Sequence, residues 1–88
     1  MKGIVFTEFL EFVEDNHGIL VVDKIIEKSK LESGGIYSAV GTYKHEEIVQ
    51  LVTHLSEELK IDIHVLLKIY AEHFFNVLLA SYPGFFKD

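Results

Sequence analysis

The chain has 88 residues, 49% of them hydrophobic, with one proline, no cysteine and a formal net charge of −6. That length holds one domain at most, and the apolar content marks a folded, helix-rich chain rather than a disordered one. Eight lysines without a single arginine exclude a nucleic-acid-binding stripe, and the missing cysteines remove disulfides, thiolate ligands and cysteine nucleophiles together.

The opening MKGIVF lacks the long apolar stretch and cleavage site of a signal peptide. No uninterrupted apolar run approaches the roughly 20 residues of a membrane span. A cytoplasmic chain is the expectation. Residues 2–16 predict a first helix, because Val5, Phe9, Phe12 and Val13, and also Phe6, Leu10 and Val13, recur at helical spacing. Glu8, Glu11, Glu14 and Asp15 form its wet side, and Gly18 suits a left-handed stop. A second helix is expected over 19–31, with Val22, Ile25 and Ile26 on one stripe. GGIYSAVGTY, residues 34–43, has no period and reads as a loop.

Residues 44–60 predict a third helix whose stripe is Ile48, Leu51, Val52, Leu55 and Leu59. Glu46, Glu47, Gln50, His54, Glu57 and Glu58 are expected to face water. Asp62 is a good N-cap for a last helix over 62–82. Ile63, Leu66, Leu67, Tyr70, Phe74, Val77 and Leu78 make one stripe of it, and Val65, Ile69, Phe75 and Leu79 make part of a second. The polar line His64, Lys68, Glu72 and Asn76 is narrow. A helix apolar on most of its circumference is buried between layers, and each large side chain left in water forgoes roughly 1.5–3 kcal/mol. The expectation is one all-α unit of four to five helices over 1–88. Its last helix forms one wall of a pocket completed from elsewhere, and the isolated chain self-associates through it.

Catalytic chemistry finds little support. The five histidines, at 17, 45, 54, 64 and 73, include no i, i+3 or i, i+4 pair to grip a metal. No serine sits in a G-x-S-x-G context, and no phosphate-binding glycine loop occurs. The acidic pairs fall on wet helix faces. What remains is aromatic: Phe6, Phe9 and Phe12, then Tyr70, Phe74 and Phe75, then Tyr82, Phe85 and Phe86. Core packing accounts for most of them, but a greasy wall poor in donors also suits one face of a large planar cofactor.

The opening Met1-Lys2-Gly3-Ile4, the spacing to Val21-Val22-Asp23 and the closing Tyr82-Pro83-Gly84-Phe85-Phe86 together resemble the N-terminal half of the H-NOX (haem–nitric oxide binding) family. The resemblance runs along the whole chain. It implies an α+β family fold in which this stretch is the helical, distal subdomain over one face of haem b. It carries Val5 and Phe9 on the first helix and Phe74 and Leu78 on the last into the haem pocket. It implies a gas sensor that regulates a histidine kinase, a diguanylate cyclase or a chemotaxis-type receptor, with neither membrane nor nucleic acid as partner. The family's proximal histidine and Tyr-x-Ser-x-Arg motif lie beyond the matched stretch. No Tyr-x-Ser-x-Arg occurs in these 88 residues, so this chain is not expected to ligate haem iron in the family's way. Oxygen on ferrous haem is stabilised by a buried hydrogen-bond donor, which NO does not need. Here the matching positions hold Phe9 and Phe74, and Asn76 lies about 200° round the helix from Phe74. Selectivity for NO and CO over O2 is the expectation. A free-standing helical module for protein interaction or dimerisation, without haem, is the alternative.

Overall fold

The computed structural model describes residues 1–81, so the Tyr82–Phe86 motif lies outside the described residues. The all-α expectation holds, with four helices and no strand among those residues: α1 Gly3–His17, α2 Ile19–Lys28, α3 His45–Leu59 and α4 Ile63–Ser81. Helix α1 packs on α2 and α4, and α3 packs on the same two. The core at their centre comprises Phe6, Phe9 and Val13 of α1, Val22 and Ile25 of α2, Leu51, Val52 and Leu55 of α3, and Leu66 and Tyr70 of α4. These are the i, i+3, i+4 positions that place one apolar face of each helix inward.

The joints explain where each helix stops. Gly18, at φ 90°, turns the chain from α1 into α2 while its N–H still reaches the Glu14 carbonyl. A positive φ of that kind suits glycine. Helix α2 ends at Lys28, short of the sequence expectation, because Ser29 is extended. Its hydroxyl turns back to the Ile25 carbonyl, and Lys30 instead exchanges two hydrogen bonds with the Gln50 amide on α3. Lys60, left-handed at φ 55°, closes α3. Asp62 then caps α4, its carboxylate accepting from the His64 N–H at 2.8 Å. That bond also holds the Asp62 carboxyl below its usual range.

The long α2–α3 loop is pinned at both ends and in the middle. The chain start pairs with its end: Tyr43 N–H donates to the Met1 carbonyl at 2.8 Å, and Gly3 N–H donates to the Gly41 carbonyl at 2.8 Å. A Cβ on Gly3 would lie 1.7 Å from the Ser38 carbonyl oxygen, so only glycine admits this approach. In the middle sits Glu47. The sequence pattern puts it on the wet face of α3, but it is only 5% exposed. Its Oε1 accepts from the Ser33 hydroxyl at 2.7 Å and the Tyr37 hydroxyl at 2.8 Å. A buried carboxylate persists only when so bonded, and here the donors come from the aperiodic loop. Tyr37 in turn stacks on Phe6 at 4.5 Å, tying the loop to the first turn of α1.

Candidate functional site

Two of the four pocket residues that the resemblance implies, Val5 and Phe74, belong to a partly open wall between α1 and α4. Val5 and Phe74 are half-buried and pack against the core, while Leu78 lies half-buried one turn beyond Phe74. Phe9 sits deeper, at 2% exposure, and makes the floor under that wall rather than its surface. All but Leu78 meet around Tyr70. The Phe9 ring stands edge-on to it at 5.1 Å and 88°, and the Phe74 ring lies 5.9 Å away. The Tyr70 hydroxyl donates to the Val5 backbone carbonyl at 2.5 Å. Burial, with the Glu8 charge second, pushes its phenol above the ordinary tyrosine range. It therefore stays protonated, with its proton already engaged.

Tyr70 was legible only as one more member of an apolar stripe. The signal available was that a buried tyrosine finds a hydrogen-bond partner, yet nothing in the pattern named a backbone carbonyl 65 residues away. Beside it, Met1, Val5, Ile48, Val49, Val52, Ile63 and Leu67 complete the lining of an apolar cavity of about 280 Å³ between α1, α3 and α4.

Much of the rest of α4 is exposed. Among the described residues its packing into the core ends at Phe74, and the seven that follow extend about 10 Å further. Val65, Ile69, Phe75 and Leu79 are 49%, 43%, 50% and 37% exposed. The window Ile63–Ala80 averages a mean hydropathy of 1.3, enough to cross a membrane by length and composition. No unbroken apolar run spans that window, since Lys68 and Glu72 interrupt it without lowering the average below that level. In this structure Leu66 and Tyr70 of that window are buried in the helical core.

A planar, apolar-faced cofactor fits this wall on one side. His73 is tilted over Phe12 at 4.8 Å, His54 Nδ1 lies 2.8 Å from the Ser29 hydroxyl, and His17, His45 and His64 are exposed. No three potential metal ligands cluster among the described residues.

A family model described as Haem-NO-binding matches residues 2–88. The unliganded Fe(II) H-NOX protein of K. algicida is 54% identical, with a TM-score of 0.93 over 97% of this chain and 46% of its own. Its A71G mutant aligns with the same score at 53% identity. The H-NOX of Shewanella woodyi, bound to IWP-051 in the Fe(II)CO state, is 36% identical with a TM-score of 0.84, covering all of this chain and 48% of its own. The chain thus spans a little under half the length of the structures it matches. No curated protein matches it.

Proposed function

Because this chain belongs to the haem-NO-binding family, we propose that it forms the distal wall of a haem-based gas sensor, with Val5, Phe9, Phe74 and Leu78 facing or backing the haem b pocket. When bound, haem supplies the iron on which a diatomic gas is captured. The residues here supply an apolar surface on one side of it. The observation that carries the reading is the commitment of the wall's phenol: Tyr70, between Phe9 and Phe74, gives its proton to the Val5 carbonyl. This phenol then has no free proton to offer a bound gas, which on this reading favours NO and CO, which bind without such help, over O2. The whole protein, on this reading, is a non-enzymatic cytoplasmic sensor. It regulates a histidine kinase, a diguanylate cyclase or a chemotaxis-type receptor through movement of these helices against the rest of the domain. The matched relatives are about twice this chain's length, and the apolar outer face of α4 is suited to packing against that further length. A stable oxygen-complex spectrum of the complete ferrous protein would refute the selectivity.

A second reading draws on that same face. Val65, Ile69 and Leu79 form an exposed apolar line that suits a protein partner or a second copy of the chain. Sedimentation of the 88-residue chain separates the outcomes: concentration-dependent association is expected, and a clean monomer at high concentration would count against any exposed docking face.

A further inference from the structure

We propose that the Tyr70 hydroxyl is a positioning group, a clasp that sets the register of α1 against α4 and so fixes Val5 and Phe9 relative to Phe74. The contacts place it at the crossing of the two helices. Its ring meets Phe9 at 5.1 Å, Phe12 at 6.1 Å and Phe74 at 5.9 Å, and its oxygen lies 2.5 Å from the Val5 carbonyl. The ring contacts are non-directional. Aromatic edges tolerate small slides at little cost, so packing alone leaves the axial setting of two smooth apolar helices loosely specified. A short hydrogen bond to one backbone carbonyl does not tolerate such a slide.

The chosen carbonyl matters. Val5 lies in the first turns of α1, so its oxygen also stands where the Phe9 N–H completes the helical ladder. A carbonyl has two lone pairs, and the second can serve Tyr70 without breaking the helix. The clasp therefore holds the turn that carries both α1 pocket residues. It also closes one side of the apolar cavity, which Val5 and Tyr70 line together. The clasp stands on the helical geometry alone. Only its consequence, that the wall keeps its donor from a bound gas, rests on the gas-sensor reading.

The test is NMR on the 88-residue chain without haem, wild type and Tyr70→Phe. The wild type is expected to show a solvent-protected Tyr70 hydroxyl proton with cross-peaks to Val5. Tyr70→Phe keeps the ring, so helicity by far-UV circular dichroism should be retained. The Val5 carbonyl carbon should move upfield as it loses a donor. Amide exchange should quicken by about two- to tenfold, the range one net hydrogen bond supplies, in α1 and α4 but not in α2 and α3. A Val5 carbonyl shift unchanged by the substitution, or an equal rise of exchange in all four helices, would overturn the clasp. Should the variant fail to fold, the wild-type hydroxyl signal decides alone, and a freely exchanging hydroxyl refutes it. A stable oxygen complex of the complete ferrous protein beside an intact clasp would sink the gas-selectivity reading and leave this inference standing.

Discussion

Replacing Glu47 by alanine should loosen the α2–α3 loop from the helices and lower stability by about 2 kcal/mol. The figure follows from what the carboxylate holds. Its Oε1 accepts from Ser33 at 2.7 Å and Tyr37 at 2.8 Å, and deleting it strands both hydroxyls. A stranded buried donor costs about 1–3 kcal/mol, and these two, being only half-buried, sit at the low end of that range because water can reach them. For a domain of this size about 2 kcal/mol corresponds to a fall in Tm of about 8–16 °C. Glutamine should cost less than about 1 kcal/mol, since one amide oxygen can accept both bonds even without the charge. The assay is thermal unfolding by far-UV circular dichroism, with the tyrosine signal in the near-UV reporting whether Tyr37 stays stacked on Phe6. Alanine indistinguishable from wild type, or glutamine as damaging as alanine, would refute the reasoning.

Other consequences are sharper in direction than in size. Gly3→Ala forces a Cβ to within 1.7 Å of the Ser38 carbonyl oxygen, and the backbone shift needed should cost about 1–3 kcal/mol in chemical denaturation. Phe9→Ala should cost about 3–5 kcal/mol, because the ring is fully inside the core. Leu78→Ala should leave the melting of the 88-residue chain close to wild type, since core packing on α4 ends at Phe74; a large loss there would mean that Leu78 serves the fold. Burial pushes Tyr37 up to about 12 from its ordinary 10. The folded state thus binds its proton more tightly than the unfolded chain, so its contribution is complete below pH 10 and is lost as pH rises from 10 to 12. Tyr37→Phe should flatten the alkaline limb of the stability profile, and an unchanged limb would contradict the shift.

Much of the fold is legible in the hydrophobic spacing. Val22 with Ile25, and Leu51 with Val52 and Leu55, point inward from their own helices because a 3.6-residue period needs no knowledge of the neighbours. Glu47 shows where that reasoning ends. It lies on the polar side of the α3 pattern, and its burial depends on Ser33 and Tyr37, which reach it from a stretch with no period at all. The site divides in the same way. The i, i+4 relation puts Phe74 and Leu78 on one stripe of α4, while a place for them in a haem pocket is implied only by the family resemblance. Only the three-dimensional structure shows that Phe9 lies beneath the surface, or that the Tyr70 hydroxyl spans from α4 to α1. Long-range polar contacts leave no periodic trace, so they are the part that sequence spacing misses.

On the proposed reading the α1–α4 wall is one face of a haem site and does not itself ligate the iron. Titrating haem b in its diamagnetic ferrous CO form into the isotope-labelled 88-residue chain tests it most directly. Ring-current shifts centred on Val5, Phe74 and Leu78 are expected, without the Soret band of an axial histidine. Shifts absent from those three residues, or a histidine-ligated Soret band from this chain alone, would contradict it.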